Sequence, residues 1–131
     1  MGYVVKIYTS YYANSPKIRK KHLAVAISST LPNWLDTKDW YWFSLLAPEP
    51  TILSKYKSGE MDWIEFRRLY LNQLSRYNRQ RILNEVIEAA LDSKVSTIVF
   101  YCYEKDVQYC HRSLLAQYLA PLTGIIQEYK V

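Results

Sequence analysis

Apolar positions along the chain follow two alternating patterns. Short runs of consecutive apolar residues occur at Val4–Tyr8, His22–Ile27, Thr97–Tyr103 and Gly124–Tyr129. The first three end in polar residues: Thr9-Ser10, Ser28-Ser29-Thr30 and Glu104-Lys105-Asp106. Runs apolar on both faces predict strands of a buried parallel sheet rather than of a half-exposed meander. Between them the period becomes helical. Asp62 and Glu65 have the spacing of a capping box, and the helix they open carries Trp63, Phe66, Tyr70 and Leu74 on one stripe. Asn78 is placed to cap a second helix with the stripe Ile82, Leu83, Val86, Ile87 and Ala90. A third begins near Cys110-His111-Arg112, runs through Leu114, Leu115, Tyr118 and Leu119, and is expected to stop at Pro121.

The order β, loop, β, long insert, α, α, β, α, β predicts an α/β fold. The expected architecture is a single small domain over residues 1–131, with a mostly parallel Rossmann-like sheet of four or five strands and helices on its faces. Residues 31–56 read as an irregular, aromatic-rich insert with no more than a turn or two of helix. Pro32, Pro48 and Pro50 break the pattern there, and Trp34, Trp40, Trp42 and Phe43 crowd it.

Composition narrows the class. The chain has 131 residues, half of them hydrophobic, 22% charged, and only three glycines. That excludes disordered, collagenous and low-complexity proteins, and a core can form without staples. No apolar run approaches the ~20 residues of a membrane span. The start shows no secretory pattern, and Gly2 lacks the downstream Ser or Thr that myristoylation prefers, so the expected address is the cytoplasm. Cys102 and Cys110 could form one bridge or stay as two thiols, and the second suits a cytoplasmic protein. Net charge is 17 − 12 = +5, which permits an anionic partner without requiring one. Thirteen tyrosines would suit a thermostable protein.

In an open parallel sheet, ligands bind beyond the carboxyl ends of the strands. Thr9, Ser10 and Tyr11 are expected at that edge from the first strand, Ser28 and Ser29 from the second, Glu104 and Asp106 from the third. The third loop then feeds Cys110-His111-Arg112 into a helix N-terminus, whose free N–H groups attract anions. Arg112 adds a bidentate donor. Glu104 reads equally as a catalytic base and as the ion-pair partner of Arg112. Cys110 sits where a thiol pKa is lowered, beside His111. The candidates are therefore Glu104, Cys110 and His111 for catalysis, and Thr9, Ser10, Tyr11, Ser28 and Arg112 for ligand binding. Plainer readings stand beside these: Ser and Thr cap turns, and Cys102 is a small buried hydrophobe. A phosphatase loop fails on spacing, because Gln108 and Ala116 stand where its Arg is needed. Cys102, Glu104, Cys110 and His111 could in principle hold zinc, but no Cys-x-x-Cys supports it, so no metal and no other cofactor is expected. Basic clusters at Lys17, Arg19, Lys20, Lys21 and His22 and at Arg76, Arg79 and Arg81 could meet a phosphate backbone. Packing over the sheet is the expected role of most tryptophans.

The motifs together resemble one family, domain of unknown function 488. The likeness runs through Ile7-Tyr8-Thr9-Ser10-Tyr11, Val25-Ala26-Ile27-Ser28, Pro32-Asn33-Trp34, Leu46-Ala47-Pro48 and Tyr56-Lys57-Ser58-Gly59. It continues with Cys102-Tyr103-Glu104, Cys110-His111-Arg112 and Glu128. The resemblance implies a small intracellular α/β domain that keeps these residues at its crevice, and it implies no particular reaction. The expected function is a small-molecule site, binding or enzymatic, for an anionic nucleotide- or phosphate-like ligand. The alternative is a nucleic-acid-binding accessory protein using the two basic clusters. No membrane partner is expected, and the oligomeric state stays open, a homodimer among the options.

Overall fold

A computed structural model describes residues 5–130, so the expectations about Gly2 and Val4 lie outside the described residues. The sheet has five strands: β1 (Lys6–Tyr11), β2 (Leu23–Ala26), β3 (Trp40–Trp42), β4 (Thr97–Cys102) and β5 (Gln127–Glu128). Their spatial order is β3-β2-β4-β1-β5, and every pairing is parallel. The helices are α1 (Pro50–Lys57), α2 (Trp63–Leu74), α3 (Arg79–Asp92) and α4 (His111–Thr123). The α/β fold with a parallel sheet is as the alternating pattern predicts. Among the described residues no helix is long and apolar enough to cross a membrane.

Three elements depart from expectation. Thr9, Ser10 and Tyr11 lie inside β1, not in a turn after it, because their backbone pairs with Phe100, Tyr101 and Cys102 of β4. The insert contains β3, whose Trp40-Tyr41-Trp42 pairs with Ala24-Val25-Ala26, and most of the two-turn helix α1. Pro121 does not stop α4 but lies inside its last turn. A proline there removes one N–H bond to the carbonyl of Gln117, which is exposed and can bind water. The helix ends at Gly124, whose φ of +75° is a left-handed conformation that glycine adopts cheaply.

Local signals set the remaining ends. Asp62 caps α2 by accepting from the Glu65 amide at 2.9 Å, while the Glu65 carboxylate turns to Arg68 and leaves the capping box half made. Asn78 caps α3 by accepting from the amides of Gln80 and Arg81. Gly59, at φ +85°, reverses the chain between α1 and α2.

The two faces of the sheet are covered differently. One carries the main core: Leu23, Val25, Ile27, Ile98, Phe100 and Cys102 pack against the predicted stripes of α2, α3 and α4. The other carries no α-helix among the described residues. Ala24, Ala26, Val99 and Tyr101 are covered there by Tyr12, Ile18, Leu31 and Leu35, from loops and a 3₁₀ turn at Tyr12–Lys17, and by Trp40 of β3. The helices are thus on one face rather than both, and an aromatic sheath takes the place of the missing layer.

Buried tyrosine hydroxyls in both layers find partners. The Tyr12 hydroxyl bonds Ser28, Tyr101 bonds His22 Nε2 at 2.9 Å, and Tyr70 donates to the Leu46 carbonyl. Burial pushes the Tyr12 phenol up to about 12 and raises those of Tyr70 and Tyr101 as well. A raised folded-state pKa gives stability that is whole below the unfolded value of about 10 and is lost as pH rises through the folded value. Denaturant midpoints should therefore hold to about pH 9 and fall steeply from about pH 10 to 12. Tyr12→Phe should flatten that fall, and an unchanged slope would contradict the account.

Candidate functional site

Strand order locates the site. The chain leaves β2 towards β3 on one side and leaves β4 towards β5 on the other, so the loops after these two adjacent strands diverge. A crevice opens at such a switch point. Here it has a volume of about 270 Å³. Ser28, Ser29 and Thr30 line it from β2, Tyr103 and Glu104 from β4, and Cys110 and His111 from the start of α4. Tyr56 and Lys57 of α1, Phe66 of α2 and Tyr109 close the other side.

The wall opposite the sheet is held by buried polar contacts from α2. Gln73 donates to the Ala47 carbonyl at 2.8 Å and accepts from the Glu49 amide at 3.0 Å, while Tyr70 holds Leu46. These bonds fix Leu46-Ala47-Pro48, and Pro48 then contributes to the lining. Thr30 Oγ1 lies 3.2 Å from the Tyr103 hydroxyl, joining the rims of the β2 and β4 loops.

His111 is buried against the Tyr70 ring, and its Nε2 lies 2.7 Å from the Ile27 carbonyl. A carbonyl only accepts, so Nε2 carries the proton and Nδ1 keeps its lone pair, 4.0 Å from Cys110 Sγ. Burial pushes the imidazole pKa down to about 4, opposed by the Ile27 bond and helped by the nearby charges of Arg112 and Lys57. The ring is neutral near pH 7.

Arg112 corrects the sequence reading. Its guanidinium is wholly buried, and its ion-pair partner is Glu128, not Glu104. Nε and Nη2 hold the two Glu128 oxygens at 3.0 and 2.8 Å. Nη1 donates to Cys102 Sγ at 3.1 Å and to the Glu104 carbonyl, and Nη2 also donates to the Lys105 carbonyl at 3.1 Å. An arginine has five N–H donors. All five are engaged within the chain, so none is left to grip an anion in the crevice. Glu104 contributes its backbone to this knot, while the residue itself is exposed at the crevice.

The structure divides the other candidates into separate places. Thr9 donates to Glu128, and the Tyr11 ring lies 5.9 Å from the Arg112 guanidinium carbon, so both belong to the arginine knot beneath β1. Ser10 points the other way and accepts from Asn14 at 3.0 Å. Ser28, Glu104, Cys110 and His111 meet at the crevice. Cys102 and Cys110 are joined in a disulfide, in place of the two thiols expected of a cytoplasmic chain, so Cys110 is not a free nucleophile in this state. In the second basic cluster, Arg76 pairs with Glu49 at 2.7 Å and Arg79 is seated on Tyr118. Lys17, Arg19, Lys20 and Lys21 are exposed. Trp40 and Trp63 pack as expected, but Trp34 and Trp42 are half exposed. Tyr56, Lys57 and Tyr109 escaped the sequence reading as site residues. The first two stand in the Tyr56-Lys57-Ser58-Gly59 motif, which was the available signal.

The fold defines a small α/β domain with an all-parallel sheet, helices on one face and a crevice at the strand carboxyl ends. A family model described as the active DUF488-N3 subclade matches residues 7–122, and the chain belongs to the DUF488 family. No curated protein and no solved structure matches the chain.

Replacing Arg112 with Leu strands a largely buried Glu128 carboxylate and should cost about 3–5 kcal/mol in denaturant unfolding. The double change Arg112→Leu with Glu128→Leu should recover much of that loss. Glu104→Gln should move stability by less than about 0.5 kcal/mol. A larger cost for Glu104→Gln than for Glu128→Gln would reverse the assignment.

Proposed function

We propose that the crevice binds a small anionic, aromatic molecule of nucleotide type and holds groups suited to acid–base chemistry on it. One observation carries the reading: the switch-point crevice combines aromatic walls with one cation and a row of hydroxyls. Tyr56 and Tyr109 offer faces on which a planar ring can stack, with the buried Phe66 stacked behind Tyr56. Lys57 makes no ion pair among the described residues and supplies positive charge at the opening. The α4 start adds the positive end of a helix, whose N-cap Cys110 makes no side-chain cap. Ser28, Ser29 and Thr30 supply hydroxyl partners from the β2 side.

Two lining groups can exchange protons with a ligand. Neutral His111 presents an unprotonated Nδ1, and the exposed Glu104 side chain stands at the same lining. At about 270 Å³ the space falls just below the ~300 Å³ of the smaller ligand pockets, a size for a mononucleotide rather than a dinucleotide. The description of the subclade as active accords with chemistry at the site. The nucleic-acid alternative draws less support, because Arg76 and Arg79 are already committed within the chain.

Thermal melting against a panel of mononucleotides and inorganic phosphate tests this. A ligand at a hundred times its Kd should stabilise the fold by about 2.7 kcal/mol. Lys57→Ala should weaken that stabilisation at least tenfold in ligand concentration, whereas Lys20→Ala should leave it unchanged. If no nucleotide raises the melting temperature, or the rise survives Lys57→Ala intact, the proposal fails.

A further inference from the structure

Three soft donor atoms converge beside the crevice. The Sγ atoms of Cys102 and Cys110 and a ring nitrogen of His111 all lie within 4.8 Å of one another, and all three residues are buried. Cys102 arrives at the last position of β4, Cys110 is the N-cap of α4 and His111 its first residue. No single stretch of sequence has metal-ligand spacing, which is why the sequence alone argued against a metal.

Their surroundings are those of a ligand set. His111 donates Nε2–H to the Ile27 carbonyl at 2.7 Å, which fixes the tautomer and aims the Nδ1 lone pair towards the sulfurs. Metal-binding histidines are typically oriented in this way, through the other ring nitrogen. Arg112 Nη1 donates to Cys102 Sγ at 3.1 Å, a contact that favours thiolate over thiol. The charges close as well. Two thiolates neutralise a divalent cation, and Glu128 already neutralises Arg112, so no net charge is stranded in the interior. Tetrahedral zinc, with bonds of about 2.3 Å to sulfur and about 2.0–2.1 Å to nitrogen, sets its donors roughly 3.5–3.8 Å apart. The Nδ1 to Cys110 Sγ distance is 4.0 Å, close to that spacing, and cleaving the S–S bond frees the sulfurs to separate to it.

We propose that Cys102, Cys110 and His111, with the disulfide reduced, form a three-ligand site for Zn²⁺ whose fourth position is reached from the crevice. Cys110 and His111 belong to the crevice lining, so water or a ligand atom can take that position. Three protein ligands with an open fourth position is the form of a catalytic rather than a structural zinc site. The reductant is a dithiol. It gives two electrons and two protons to the Cys102–Cys110 bond and leaves as a cyclic disulfide, and metal binding then releases both sulfur protons to solvent. The oxidised chain cannot hold the ion, so metal loading follows the thiol state. This inference stands apart from the nucleotide reading and survives its failure.

The test uses the full chain in two states, disulfide-bonded and reduced with a dithiol that is then removed without air. Each is dialysed against Zn²⁺ alone, and bound metal is counted by mass spectrometry. Co²⁺ alone serves as the spectroscopic probe. The reduced protein should take up one Zn²⁺ and the oxidised protein essentially none, and Co²⁺ should give intense thiolate charge-transfer absorption. His111→Gln, which can keep the bond to Ile27, should lower Zn²⁺ affinity at least tenfold. The wild-type comparison between states needs no variant to fold. Equal zinc in the two states, or a Co²⁺ adduct without thiolate absorption, overturns the proposal.

Discussion

The structure is organised around one buried cation. The Arg112 guanidinium is fully enclosed, and such a charge is tolerable only if every donor is met and the charge is matched. Glu128 supplies the matching charge from β5, a strand of two residues that would be marginal by itself. Cys102 Sγ and the carbonyls of Glu104 and Lys105 supply the remaining acceptors from the end of β4 and the loop after it. Thr9 adds its hydroxyl to Glu128 from β1. One side chain thereby pins the edge strand, the first turn of α4 and the loop that shapes the crevice. The loop contains no glycine, and these carbonyl contacts join the Thr30–Tyr103 bond and the Asp106 cap in setting its path.

The tyrosines answer a related constraint on the opposite face. A parallel sheet is normally covered by helices on both sides. Here the chain between β1 and β2 is a 3₁₀ turn and a short loop, too short for a crossover helix of ordinary length. Large rings close the gap: Tyr12 stacks near Tyr101 at 6.2 Å between centroids, and Trp40 contacts both. A phenol covers a wide area with few rotatable bonds and keeps a polar tip for a neighbour such as Ser28 or His22. Tyr8, Tyr12, Tyr101 and Tyr129 belong to this thin layer, which is built without a helix.

What could be read from the sequence followed the range of the interaction. Helix stripes and the caps Asp62 and Asn78 are local, and each appears where the pattern puts it, while the strand runs give the strands but not their ends. β3 was invisible, because Trp40-Tyr41-Trp42 is three residues long and gains its partners only once β2 is beside it. The pairing of Arg112 was misread for the same reason. Glu104 is eight residues away and Glu128 sixteen, and nearness along the chain favoured the first. Only the sheet order, which lays β5 against β1, brings the second into reach. At the site, Ser28, Glu104, Cys110 and His111 were recoverable because strand ends and helix starts gather at one edge by rule. Lys57 and Tyr56 reach that edge from the end of α1, where the pattern allowed a turn or two of helix but did not show which face it would turn to the crevice.

Cys110, His111 and Arg112 show how one short segment can serve three ends. At a helix start, consecutive side chains are turned by about 100° from one another. Cys110, still extended as the N-cap, points back towards the end of β4 and meets Cys102. His111 turns to β2 and meets the Ile27 carbonyl at the crevice. Arg112 turns the other way and enters the knot with Glu128. The reactive groups and the anchoring group are therefore neighbours in sequence, yet they face different strands. The anchor fixes the backbone from which the other two project, while the Ile27 carbonyl orients the histidine and the disulfide joins the sulfurs. A substitution at Arg112 should accordingly disturb the crevice through position rather than charge, even though its guanidinium never lines it.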